Sequence, residues 1–184
     1  MLSWTIFETK LGQGALSYSP AGLVSFQLPR HDFAIEEAYE DLALHSRGDQ
    51  LSHAPTPIAK NPGWVQDLIA EVQEHLDGKP SQFKSLKLDL KNIPPFHAKV
   101  YRALTKVQAG SVVSYGQLAA MAGSPNSARA VGTAMSKNPF CLVIPCHRVV
   151  AAGGRLGGYS GVDGIRTKTK LLKMEGFVVS NLVP

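Results

Sequence analysis

The run Pro145-Cys146-His147-Arg148-Val149-Val150, entered from Leu142-Val143-Ile144, places a thiol beside an imidazole in an apolar setting. The thiolate is the reactive form of cysteine. At an ordinary pKa of roughly 8.5 most of the thiol is protonated at neutral pH, so a base must be close. Histidine suits that task. Successive residues on an extended strand face opposite sides. Cys146 and His147 can therefore meet only if the chain turns or a water lies between them. Pro145 makes a turn plausible, because it fixes its own φ and biases Ile144 towards extended geometry. The bland alternative is a buried small hydrophobe next to a core histidine. The other cysteine, Cys141, lies five positions upstream, so no disulfide framework is readable, and unpaired thiols fit a reducing compartment.

Several elements must hold this stretch. Ser114 and Gln117 form a Ser-x-x-Gln capping box ahead of Leu118 to Met121. Gly123 ends that helix and Ser124-Pro125-Asn126 makes a turn. A second helix is expected over about 127–137, with Ala128, Arg129, Gly132 and Thr133 on or near one face. Two short helices around a tight turn read as a helix-turn-helix. Small residues around a single Arg let a helix backbone approach a partner, with close helix–helix packing as the competing reading. Upstream, Pro94-Pro95 opens a helix from Phe96 to about Gln108, with Gly110 beyond its end. Leu2 to Arg30 reads as a small antiparallel meander. Asp32 is expected to cap a helix striped by Ile35, Ala38 and Leu42, with Arg47-Gly48 as its stop. Asn61-Pro62 reads as the N-cap and first residue of a helix that stops at Gly78. Phe83 to Leu90 alternates as a short strand or a connector.

Charge divides the chain. Residues 96–184 carry eleven Lys and Arg against Asp163 and Glu175, a net +9, while residues 1–95 sum to −4 and the whole chain to +5. A basic C-terminal half suggests a polyanionic partner. No apolar run reaches transmembrane length and the N-terminus lacks a signal-peptide pattern, so no membrane partner is expected. The expected address is cytoplasmic in a prokaryote or nuclear in a eukaryote. The first half has no Cys, and His31, His45, His53 and His75 show no ligand spacing, so no metal is expected.

Four pieces, Val113-Ser114-Tyr115-Gly116-Gln117-Leu118-Ala119, Ala128-Arg129-Ala130-Val131-Gly132, Pro145 to Val150, and Gly157-Gly158-Tyr159-Ser160-Gly161, occur in this order. Together they resemble the O6-alkylguanine-DNA alkyltransferases (methylated-DNA–protein-cysteine methyltransferases), over roughly Phe96 to Gly176. The resemblance implies an α/β (α+β) fold. A ribonuclease-H-like antiparallel sheet with helices, residues 1–90, would support a mostly helical, winged-helix-like domain with the helix-turn-helix, residues 91–184. It implies DNA repair by direct reversal, a single-turnover suicide transfer of an alkyl group from guanine O6 in duplex DNA to Cys146 after base flipping. No cofactor is needed, and a monomer is expected.

The resemblance also implies roles. Cys146 is the nucleophile, His147 its base through a water, and Glu175 the carboxylate that orients His147. Asn138 braces the turn around the nucleophile. Tyr115 rotates the nucleotide outwards and donates to guanine. Arg129 fills the space of the extruded base, while Ala128 and Gly132 let the helix approach the minor groove. Ser114 joins the DNA-facing set. Tyr159, Ser160 and Gly161 belong to the loop over the flipped base, and the Cys146 and Val149 carbonyls read its exocyclic amine. Cys141 departs from the Pro that several relatives carry in the pocket wall, and the stretch from Ser160 to Glu175 is a residue or two longer than usual. The sequence leaves open the preferred alkyl size and whether O4 of thymine is also repaired. Two rivals are a damage-recognition module without chemistry, whose members replace the Cys that is intact here, and a Cys-His hydrolase, which would not account for the basic half.

Overall fold

The computed structural model describes residues 1–46, 48–161 and 163–181. The chain forms two compact units, Met1–Asn92 and Ile93–Pro184.

In the first unit, β1 (Ser3–Thr9), β2 (Gly12–Ser19) and β3 (Gly22–Arg30) form an antiparallel sheet in sequence order, with Thr9 opposite Gly12 and Ser19 opposite Gly22. Consecutive strand residues such as Trp4 and Thr5, or Ala15 and Leu16, are all buried, so both faces of the sheet are covered. Helix α1 (Ile35–Leu44) packs against β2 and β3, and α2 (Gly63–Leu76) against β1. Leu2, Trp4, Ala15, Val24, Ala38, Leu42 and Leu51 make one core cluster.

Several local expectations are corrected here. Asp32 does not cap α1, whose N-cap is Ala34 with no side-chain cap bond. That helix already stops at Leu44; of the expected stop, Arg47 lies outside the described residues. Asn61 does not cap α2 either, because Pro62 holds the N-cap position. The Asn61 side chain is spent elsewhere: it accepts from Tyr18 Oη at 2.6 Å and donates to Thr5 Oγ1 at 3.1 Å, satisfying buried polar groups of the sheet. Phe83 to Leu90 forms no ladder. It touches β3 through one bridge, Leu23 to Leu88.

The second unit is mostly helical. Pro95 is the first residue of α3 (Pro95–Leu104), which ends four residues before the expected Gln108. The two-residue strand β4 (Val113–Ser114) leads into α4 (Tyr115–Met121), and α5 (Ala128–Ser136) follows the turn. The capping box of α4 forms in both directions: Gln117 N donates to Ser114 Oγ at 3.1 Å and Ser114 N to Gln117 Oε1 at 2.7 Å. Strand β5 (Val149–Val150) pairs in parallel with β4, and α6 (Ile165–Met174) closes the unit. Val100, Tyr101, Leu104, Leu118, Val131, Ala134 and Phe140 are fully buried. Each large apolar side chain among them contributes about 1.5–3 kcal/mol by leaving water. Tyr101 Oη donates to the Ala134 carbonyl at 2.9 Å, tying α3 to α5.

Candidate active site

The chain does turn at the cysteine. Residues Cys146–Arg148 form one 3-10 turn, with Arg148 N donating to the Pro145 carbonyl at 2.8 Å. Leu142, at φ +76°, and the Ile144 N to Phe140 carbonyl bond (2.8 Å) fold the preceding segment back on itself. Asn138 holds this loop from inside. Its Nδ2 donates to the Ile144 carbonyl and its Oδ1 accepts from Phe140 N, both at 3.0 Å.

Behind the thiol, His147 and Glu175 are fully buried at their side chains, and His147 Nε2 lies 2.8 Å from Glu175 Oε1. Glu175 is the C-cap residue of α6, where the helix dipole opposes a carboxylate. Arg148 offsets this. Its Nε sits 3.0 Å from Oε2 and its Nη2 2.8 Å from Oε1, while Nη1 donates to the Val107 carbonyl at 2.5 Å. Removing one partner of so buried a pair costs about 3–5 kcal/mol, since it strands the other charge. Gly110 N donates to Oε2 at 3.4 Å, and Gly110 adopts φ +76° with its backbone so close that a Cβ would lie 2.9 Å from the Glu175 carbonyl. Only glycine fits there without strain.

Cys146 is held below the ordinary thiol range. A hydrogen bond with Cys141 is the largest cause, and Asn138, the charge of Lys168 and Tyr159 add to it against the upward push of burial. The Tyr159 phenol sits against both sulfurs, and burial first, then the two thiols, pushes its pKa up. Burial, with Cys146 nearby, also pushes Tyr115 up, so its phenol stays protonated as a donor.

Tyr115, Gly132, Met135, Ser136, Cys146, Gly158, Tyr159 and Ser160 line one cavity of about 240 Å³. The structure thus brings Cys146, Tyr115, Gly132, Tyr159 and Ser160 together, with His147, Glu175 and Asn138 behind the thiol. Ala128 and Arg129 stand apart at the start of α5, with Arg129 exposed. Gly132 faces open space, with nothing within 4 Å of where a Cβ would stand. Gly161 is adjacent to the cavity, and a Cβ there would overlap the Tyr159 ring. Ser114 serves its helix cap, and Val149 lies on β5 with its carbonyl bonded to Lys168.

Sequence reasoning missed Arg148 and Lys168. Both were counted with the surface charge, yet they are 2% and 0% exposed, leaving nine of the eleven basic side chains of residues 96–184 outside. For Lys168 a signal existed: Leu171 and Leu172, three and four positions on, mark its helix face as the buried one.

A buried thiol held below the ordinary thiol range, with a histidine–carboxylate pair behind it and a phenol across a cavity, defines a protein that uses a cysteine as nucleophile. Residues 95–177 match the family described as 6-O-methylguanine DNA methyltransferase, DNA binding domain. The methylated-DNA–protein-cysteine methyltransferase of Salmonella typhimurium is 40% identical over 152 residues, covering 79% of this chain and 84% of that protein. That of Metallosphaera sedula is 44% identical over 112 residues, covering 61% and 68%. Among solved structures, Mycobacterium tuberculosis OGT in complex with DNA superposes with a TM-score of 0.71 at 28% identity, covering 98% of this chain and 94% of that one. The O6-methylguanine-DNA methyltransferase of Pyrococcus kodakaraensis gives 0.66 at 31%, covering 96% and 99%. The chain belongs to the methylated-DNA–protein-cysteine methyltransferases, and its fold is the α/β fold the sequence led one to expect.

Proposed function

We propose that this protein repairs DNA by moving an alkyl group from O6 of guanine in duplex DNA to Cys146, irreversibly and once per molecule. The observation that carries the reading is Cys146 in a cavity shared with Tyr115, backed by the 2.8 Å His147–Glu175 contact. His147 donates Nε2–H to the Glu175 carboxylate, so its other ring nitrogen takes the thiol proton through a bridging water. The thiolate attacks the alkyl carbon, the carbon–O6 bond breaks, and guanine leaves as an anion that Tyr115 or water protonates. The thioether offers no acyl-type bond to hydrolyse, and none of the site residues provides a route back to the thiol.

The alkylated base reaches the cavity by flipping. The exposed Arg129, at the head of α5, takes the vacated place in the stack, where a planar cation offsets part of an unstacking cost of a few kcal/mol. The open flank at Gly132 lets α5 approach the minor groove closely. Ser114 and Ala128 face the same duplex. Ser160 N–H meets guanine O6, Gly161 leaves room for Tyr159, and the Cys146 and Val149 carbonyls take the exocyclic amine. Asn138 keeps the nucleophile's turn in shape. Residues 1–92 support this unit, and the protein acts as a monomer. In titration with excess O6-methylguanine duplex, repaired guanine should plateau at one equivalent per protein. Continued product formation beyond that plateau refutes the single-use reading.

A further inference from the structure

Lys168 is the buried cation that this mechanism does not use. It sits in the middle of α6, with no exposed surface. Its ammonium donates to two main-chain carbonyls from separate segments: Val149 at 2.6 Å, directly after the nucleophile's turn, and Gly158 at 3.3 Å, on the rim of the cavity. An ammonium taken out of water costs several kcal/mol unless it is well compensated. Here burial lowers its pKa to about 8 while the nearby Cys146 acts the other way. A structural lysine would more cheaply be an apolar residue in a position flanked by Leu171 and Leu172.

We propose that Lys168 is a positioning residue for alkyl transfer: its ammonium clamps the Val149 carbonyl to the Gly158 carbonyl and so fixes the floor and the rim of the base cavity relative to Cys146. A carbonyl oxygen has two lone pairs, so the bond to Lys168 leaves Val149 one for a base amine while fixing its direction. Gly157 and Gly158 offer no side chain to hold their end of the loop, and Lys168 ties that end to α6 through the Gly158 carbonyl. Transfer needs the alkyl carbon in line with the sulfur, and an error of about 1 Å costs on the order of a hundredfold in rate. The inference rests on the reading of Cys146 as acceptor.

The test compares the wild type with Lys168→Met, which keeps most of the length and removes the charge and donors. Four quantities are measured: melting temperature, affinity for undamaged duplex, single-turnover methyl transfer from an O6-methylguanine duplex, and alkylation of Cys146 by iodoacetamide at the same pH. The small electrophile reports thiolate supply alone. The ratio of methyl transfer to iodoacetamide rate therefore isolates positioning of the base. It should fall about tenfold to a hundredfold, the worth of one or two charge-assisted hydrogen bonds, with duplex affinity within about twofold. An unchanged ratio, whether both rates hold or both fall together, overturns the clamp. Should Lys168→Met melt too low, Lys168→Gln, which keeps one amide donor, is measured in its place and judged by the same ratio. Wild-type protein that reacts with iodoacetamide but takes no methyl from the duplex would sink the acceptor reading itself, an outcome distinct from an unchanged ratio in the variants.

Discussion

At the scale of single residues, Cys141 is the chain's own variation on the site. Its hydrogen bond is the largest of the influences that lower the Cys146 thiol, ahead of Asn138, Lys168 and Tyr159. The sign of the consequence follows directly. Thiolate is the reactive form, so the rate of reaction with a small electrophile rises with pH through the thiol's pKa, and a lowered pKa moves that rise to lower pH. In wild-type protein the midpoint should lie below the ordinary thiol value, and Cys141→Ala should move it up. Iodoacetamide rates at Cys146, resolved from Cys141 by peptide mass, give both midpoints. A midpoint that stays put or falls in the variant contradicts this account. Cys141 itself was visible in the sequence as a departure from proline. Its effect on the nucleophile was not, because it depends on the loop that Asn138 and Leu142 fold back on itself.

At the scale of elements, α5 owes its value to what it lacks. Gly132 sits mid-helix, where glycine costs about 0.5–1 kcal/mol relative to alanine, and no neighbour requires the missing side chain. On the proposed function, the compensation lies outside the protein, in a close approach to DNA. Gly132→Leu should therefore melt no lower than the wild type yet lose at least about tenfold in methyl transfer from the duplex, given the side chain's bulk at the cavity edge. A variant that melts normally and transfers at the wild-type rate would remove α5 from the interface. Local signals made these elements legible: the Ser114–Gln117 capping box and Pro95 mark helix starts within four residues of chain, and both occur as read. Asn61 was misread by the same local logic, since its partners Tyr18 and Thr5 lie 43 and 56 positions away. The Arg148–Glu175 pair was illegible for the same reason, spanning 27 positions. Within the site, the residue types stood in the motifs, while the internal cations Arg148 and Lys168 needed the fold to be told apart from surface charge.

At the scale of the whole molecule, the charge imbalance survives the fold. Two of the basic side chains of residues 96–184 are internal, and the other nine are exposed in the unit that holds the cavity. Binding to undamaged duplex should weaken linearly in logarithmic salt, by about 0.9 for each phosphate engaged. Arg129 is assigned to the base stack, so Arg129→Ala should change this slope by less than one phosphate equivalent while reducing transfer from O6-methylguanine duplex by at least about tenfold. Fluorescence anisotropy across a salt series measures the slope. A slope that drops by a full unit, with transfer unaffected, would reassign Arg129 to the backbone. Among the described residues no helix is long and apolar enough to cross a membrane.

On the proposed function, Cys146 takes the alkyl group and keeps it. Intact-protein mass after incubation with a duplex carrying one O6-methylguanine tests it directly, with Cys146→Ser as the control. The wild type should gain one methyl group, mapped to Cys146 by peptide analysis and absent from the control. An unchanged wild-type mass while the duplex is bound, or a methyl group on any other residue, would contradict it.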